Sequence, residues 1–416
     1  MAETLNNVGA YVTDYIILTS KGKQIEISSY VLQTVIYEDI FSNVMTGHMV
    51  ITDAANLITT IPVLGTELIT VKFRTPTMPD RASIIKDFYI SAISERQLGD
   101  NEQNYVFNLI AVEGFLDSTT YLTSRLTGST SDLIEKVYQE NLNHNKDLYI
   151  EQHTTKATVL PNHWTALKTI NWLTTGGYRE VPNTLFFEGN KNFYCMSIDA
   201  LIRNQRENIY GTYTLTPAAT SQSATDLSQY FNIKNIAKMS FFDVLKGQDF
   251  GYYANKLITH DVVTKQYKEW PFDYAEKRKG QNNLEGIESP QLFRDVTPKD
   301  PNNFRRVRSL DTKLWNDYVD PHYENWASLR NSLLYEAQTS RYVIEVHGRT
   351  DIEVGKVIQC DIPKSIAKDD RTTLTSILDP QLSGKYLITH IRHEFALGKH
   401  IMLLEIMKDS YRRSPE

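Results

Sequence analysis

The sequence predicts a mainly β protein with an α+β insert: two similar antiparallel β-barrel domains per chain plus a small helical/hairpin domain. Three observations predict it. Short β-branched and aromatic runs alternate with polar turns, residues 128–205 switch to helical periodicity, and a late set of strands repeats an early one. At roughly 100–200 residues per domain, 416 residues suggest two to four domains. With 41% hydrophobic and 23% charged residues, the composition is that of packed domains rather than a disordered chain.

Residues 11–116 read as β, with Ile16, Ile17, Ile25, Ile27, Val35, Ile36 and Tyr37 in the first runs and further strands over 47–53, 63–71, 89–93 and 105–110. Many short strands at this spacing predict a closed barrel or a sandwich. Leu133, Ile134, Val137 and Tyr138 then share one helix face, behind Asp132 and Glu135 in capping-box spacing. A second helix carries Trp164, Leu167, Ile170 and Leu173 and stops at Gly176-Gly177. Leu185-Phe186-Phe187 and Phe193-Tyr194-Cys195 read as a hairpin about Gly189-Asn190.

Residues 211–231 are rich in Thr, Ser, Ala and Gln and read as a linker. Strand patterns resume at 238–242 and 255–263. From 271 to 321 the chain is polar and proline-rich, which predicts an extended arm or a flexible loop. Tyr323, Trp326, Ala327, Leu333, Leu334 and Ala337 mark a helix whose apolar stripe is interrupted by Arg330. The last strands are expected over 342–347, 356–362, 386–395 and 400–407.

Those last strands repeat the first ones. Tyr89-Ile90-Ser91-Ala92-Ile93 runs to a turn at Leu98-Gly99, and Tyr386-Leu387-Ile388-Thr389-His390-Ile391 runs to a turn at Leu397-Gly398. Before each stands a similar strand, Leu64-Gly65-Thr66-Glu67-Leu68-Ile69 and Val354-Gly355-Lys356-Val357-Ile358. The reading is a duplicated barrel, with a first barrel over 1–117, the α+β insert over 118–231, a second barrel over 232–275 and 322–411, and the arm over 276–321. Three chains with two similar barrels each would present six similar units.

Several classes are disfavoured. A net charge of −6 argues against a dedicated duplex-DNA binder. Cys195 and Cys360 lack CxxC spacing, so neither a disulfide scaffold nor a cysteine zinc site is expected, and folding in a reducing cytoplasm is. No apolar run reaches the roughly 18 residues of a membrane span, and Met1–Asn7 lacks the features of a signal peptide. His390 and His393 fall on opposite faces of a strand, while His144, His153 and His163 form no metal motif. There is no G-x-S-x-G elbow, and Gly22-Lys23-Gln24 and Gly355-Lys356-Val357 lack the rest of a phosphate loop. No constellation favours catalysis. The chain is read as non-enzymatic, with no cofactor and no metal.

Two sets of residues are candidates for binding. Over 400–407, Met402, Leu404 and Ile406 alternate with Ile401, Leu403 and Met407, so both faces are apolar. This predicts a subunit contact at Ile401, Met402, Leu403, Leu404 and Ile406. Arg305, Arg306 and Arg308, with Lys277-Arg278-Lys279, form the basic concentration of the arm and are expected to dock on an acidic neighbour.

The chain also resembles a known family. Val35-Ile36-Tyr37-Glu38-Asp39-Ile40-Phe41 followed by Gly47-His48-Met49-Val50-Ile51-Thr52-Asp53, then Gly355-Lys356-Val357-Ile358, Gly384-Lys385-Tyr386-Leu387-Ile388 and the ending Leu403-Leu404-Glu405-Ile406-Met407-Lys408-Asp409, resemble baseplate hub proteins of contractile-tailed bacteriophages and the hub part of type VI secretion spike proteins. The resemblance implies a structural virion protein, made in the host cytoplasm and placed in the tail baseplate. It implies a homotrimer forming a pseudo-sixfold ring between a hexameric tail tube and a trimeric central spike. Tape-measure and baseplate wedge proteins are further partners it implies, without sequence-specific nucleic-acid binding or membrane insertion. The alternative reading is a tail-associated carbohydrate- or receptor-binding β protein, which needs exposed aromatics grouped on one barrel face.

Overall fold

The period-two runs become strands. The computed structural model describes residues 7–411 except 62, 80–81, 100–101, 144, 216–225, 241–242, 262–263, 280, 289–299, 311–322 and 365–377. The first part supplies β1 (Val12–Ser20), β2 (Lys23–Glu26), β3 (Val31–Asp39), β4 (Thr46–Asp53), α1 (Leu57–Thr60), β5 (Leu68–Arg74), β6 (Ile84–Leu98) and β7 (Gln103–Ala111). The insert follows with α2 (Val112–Thr119), β8 (Tyr121–Leu122), β9 (Leu126–Ser129), α3 (Thr130–Asn141), β10 (Leu148–Ile150), β11 (Lys156–Val159), β12 (Trp164–Thr165), α4 (Ala166–Gly176), β13 (Thr184–Glu188), β14 (Phe193–Ser197) and α5 (Ile198–Gln205). Then come β15 (Thr212–Leu215), β16 (Asn232–Ile233), β17 (Asn235–Ser240), α6 (Val244–Asp249), β18 (Ala254–Asp261), β19 (Tyr267–Asp273), α7 (Tyr274–Arg278), β20 (Ile287–Glu288), β21 (Arg305–Leu310) and α8 (Tyr323–Thr339). The chain ends with β22 (Arg341–His347), β23 (Val357–Asp361), β24 (Gly384–Ala396), β25 (Lys399–Met407) and β26 (Ser410–Tyr411).

The duplication is visible as strand order. One unit runs β3-β4-β7-β6-β5, antiparallel throughout. The other runs β17-β22-β25-β24-β23, again antiparallel throughout. In both, the first strand pairs the second, the second the fifth, the fifth the fourth, and the fourth the third. Details coincide as well. The ladder slips at Ser91 in β6, whose hydroxyl donates to Asn108 O at 3.0 Å. It slips at Thr389 in β24, whose hydroxyl donates to Glu405 O at 3.2 Å. A bulge sharpens the local bend, so both units turn at the same place.

Two expectations need correction. The units are not separate closed barrels: among the described residues both belong to one open 14-stranded sheet. The reason is length. β24 has 13 residues and β23 has 5, so β23 covers only the start of β24, and β3 takes the rest of that edge. The repeat is also shifted by one residue from its sequence alignment. The two ladders slip at Ser91, just after Tyr89-Ile90, and at Thr389, just after Leu387-Ile388, which makes Leu387 the counterpart of Tyr89 and Tyr386 that of Phe88. A one-residue slip exchanges faces, and burial agrees: Phe88 and Tyr386 are both enclosed.

Other elements differ in detail. Helix α3 starts at Thr130 with Ser129 at its N-cap and no side-chain cap bond, so Asp132 sits in the first turn. Helix α4 is capped by Thr165, whose hydroxyl accepts from Lys168 N at 3.3 Å. Residues 305–310, expected within an extended arm, form β21, which pairs parallel with β18 in a separate three-stranded sheet. Three cores result. Ile69, Phe88 and Phe107 centre the first unit, Ile344, Ile358 and Leu404 the second, and Ile134, Ile170 and Phe193 the insert.

Candidate assembly interface

The two units meet where β24 pairs β3, from His390 opposite Asp39 to Ala396 opposite Gln33. Each sends one side chain into the other's core. Phe395 of the second unit lies in the first core, 1% exposed, stacked on Phe73 at 4.2 Å between ring centres. Ile40, just after β3, lies in the second core. Polar bonds cross the seam: Gln33 Nε2 donates to Glu394 Oε1 at 2.7 Å, and Val354 N to Glu38 Oε2 at 3.3 Å. Thr75 and Thr350 bond reciprocally, backbone N–H to hydroxyl, at 3.3 and 3.2 Å.

Two buried histidines sit behind this seam. His393 faces Glu38 Oε1 at 3.3 Å on one side and His400 at 3.1 Å on the other. Burial, then the neighbouring His393 ring, holds the His400 pKa well below the ordinary imidazole value. Its ring stacks on Phe395 at 4.1 Å and covers Gly348. A Cβ on Gly348 would lie 2.0 Å from His400 Cγ, an atom near the backbone that cannot swing away. Gly348→Ala is therefore expected to destabilise the chain by about 3 kcal/mol, read as a lower urea midpoint. An unchanged midpoint would mean that β22 and β25 can part locally.

The five apolar residues of β25 do not form one surface. Met402, Leu404 and Ile406 are fully enclosed in the chain's own core. Ile401 and Leu403 face outward and are half-buried. Leu403 lies opposite Arg392 on one side and Glu345 on the other, and directly paired residues share a face. Arg392 also bonds Glu394 at 3.0 Å, so this outer face is largely charged. The break in the apolar stripe of α8 is filled by a half-buried, largely desolvated cation. Arg330 donates to Pro182 O and Thr184 O, each at 3.1 Å, and burial lowers its pKa to about 10.

The basic residues separate too. Arg278 is buried, bonding Glu336 at 3.0 Å and Asp409 at 3.1 Å, and is no part of an exposed basic arm. Arg305 is exposed at the start of β21, Arg306 donates to Asn331 Oδ1 at 2.9 Å, and the Arg308 side chain lies outside the described residues, as does His144. Trp172 and Trp326 line a cavity of about 350 Å³ between α4 and α8, with Lys156 and Ala157 of β11 and Arg306 of β21 also on its wall. Among the described residues no group of three His, Cys, Asp or Glu could hold a metal ion, and no helix is long and apolar enough to cross a membrane.

The sequence did not locate the seam between the units. The signal available was the length of the 386–395 run against its shorter neighbour. No family model and no curated protein matches the sequence. Solved structures do share its fold. The tail protein from Neisseria meningitidis MC58 is 10% identical, with a TM-score of 0.53 over 96% of this chain and 97% of that one. The 43 kDa tail protein of prophage MuSo2 from Shewanella oneidensis is 8% identical, with a TM-score of 0.55 over 95% and 99%.

Proposed function

We propose that this chain is a structural subunit of a tail baseplate hub, working by assembly rather than catalysis. Three copies would form a ring of six similar units between a hexameric tail tube and a trimeric central spike. Tape-measure and wedge proteins would be neighbours, and the protein would be made in the host cytoplasm and built into the virion tail. The observation that carries this reading is the five-strand unit present twice and joined edge to edge. A duplicated unit lets a threefold assembly offer six near-equivalent positions. The fold shared with two tail proteins supports it. The boundaries 1–117, 118–231, and 232–275 with 322–411 remain the proposed division of the chain.

The experiment is the mass of the purified protein. The expected result is three times the chain's 47.8 kDa; a monomer at working concentration counts against the hub. The charged surroundings of Leu403 support a place for its face on the bore of the ring. Leu403→Asp is accordingly expected to leave the trimer intact, and dissociation would return that face to the interface.

A further inference from the structure

The seam inside the chain has an unfilled counterpart. By the ladder registers, β6 corresponds to β24 and β17 to β3. The last residues of β24 are covered by β3, but the matching stretch of β6, Ser91 to Leu98, which carries a second slip at Glu95-Arg96 that β24 lacks, has no strand on that side among the described residues. The outer edge of β17 likewise pairs with no described strand. Exposure tells the same story. Gln103 pairs Leu98 as His400 pairs Phe395, so Leu98 and Phe395 occupy one position of the repeat. Phe395 is 1% exposed and Leu98 is 78% exposed. The partner position also matches: Thr34 pairs Met49 in the first unit as Ile236 pairs Ile344 in the second. Thr34 is enclosed under Phe395, and Ile236 is only half-buried at its edge.

We infer that Ser91 to Leu98 of one copy pairs antiparallel with the outer edge of Asn235–Ser240 in the next copy, repeating between chains the seam seen within one. This rests on the proposed ring and specifies its contact. Transferring the register of the internal seam puts Leu98 beside Ile236 and Gln97 beside Ala237. Leu98 would then close the second core of the neighbour, as Phe395 closes the first core of its own chain. An open edge has unpaired N–H and C=O groups, and a second strand satisfies them all at once. The contact is head-to-tail, with different edges on the two partners. Such a contact propagates until the ring closes.

Cysteine pairs test the register. Leu98→Cys with Ile236→Cys, and separately Gln97→Cys with Ala237→Cys, place thiols at adjacent positions. Neighbouring antiparallel pairs alternate between wide and narrow spacing, so one of the two pairs suits a direct disulfide. The native Cys195 and Cys360 are buried and do not compete. Under mild oxidation at least one double variant is expected to give covalent dimers and trimers on a non-reducing gel, while each single variant gives none. A trimer by mass with no cross-link from either pair overturns the edge pairing and leaves the ring standing. A monomer by mass overturns both.

Discussion

Phe395→Ala is expected to destabilise the chain by about 3–5 kcal/mol, the range for truncating a buried aromatic. The ring is 1% exposed and sits in a stack of Phe73, Phe395 and His400, with Tyr11 edge-on at 5.1 Å. Those three partners come from β5, from β25 and from the segment before β1, so the gap cannot close by moving one element. The loss also lies at the seam, so the two units should begin to unfold at different urea concentrations, seen as two transitions. The control is the same truncation at the counterpart position. Leu98→Ala removes an exposed side chain and is expected to change monomer stability by less than about 0.5 kcal/mol, while weakening assembly. Equal effects of the two variants on unfolding would contradict the burial difference on which the argument stands.

Glu188→Ala is expected to be as damaging, by a different route. Glu188 is completely buried at the end of β13. It accepts from Lys86 Nζ at 3.1 Å, Lys146 Nζ at 2.8 Å and Met45 N at 2.8 Å. Lys146 also bonds Glu113 at 2.7 Å. Removing the shared carboxylate leaves Lys86, itself buried, with the Gly189 carbonyl as its remaining partner among the described residues. Breaking a buried pair by deleting one partner typically costs about 3–5 kcal/mol because the remaining charge is stranded. Burial by itself would raise the Glu188 pKa; Lys86 and Lys146 outweigh it and hold the pKa below its usual 4.5. A carboxylate depressed in the folded state contributes stability above its unfolded pKa and loses it as pH falls through the folded one. Wild type should therefore weaken below about pH 4.5 more than Glu188→Ala does. Glu180, whose side chain is 56% exposed beside Arg203, is the contrast: Glu180→Ala should cost under about 1 kcal/mol.

Local structure was legible wherever it rests on alternation or helical period. The runs around Tyr89 and Tyr386, their turns, the helices of the insert and the hairpin about Gly189 all follow from side-chain pattern. The duplication was legible for the same reason. Its true register was not, because two tyrosines one position out of step look more alike than Phe88 and Tyr386, and only the ladder shows which ones face the core. Arg278 looked like part of a basic cluster because its neighbours in sequence are lysines. Its real partners, Glu336 and Asp409, are 58 and 131 residues away.

Side-chain pattern was enough for most strands of the two units, for α3, α4 and α8, and for the recurrence of one β unit, while β21 and α5 escaped it. Tertiary structure alone decided that the units fuse into an open sheet, that β3 rather than a closing strand covers the end of β24, and that Leu98 is left bare where Phe395 is enclosed. The reason is physical. A strand's own side chains set its period and its apolar face, but its backbone edge is identical to any other edge. Which edge it meets depends on relative lengths, bulges and packing of segments hundreds of residues apart.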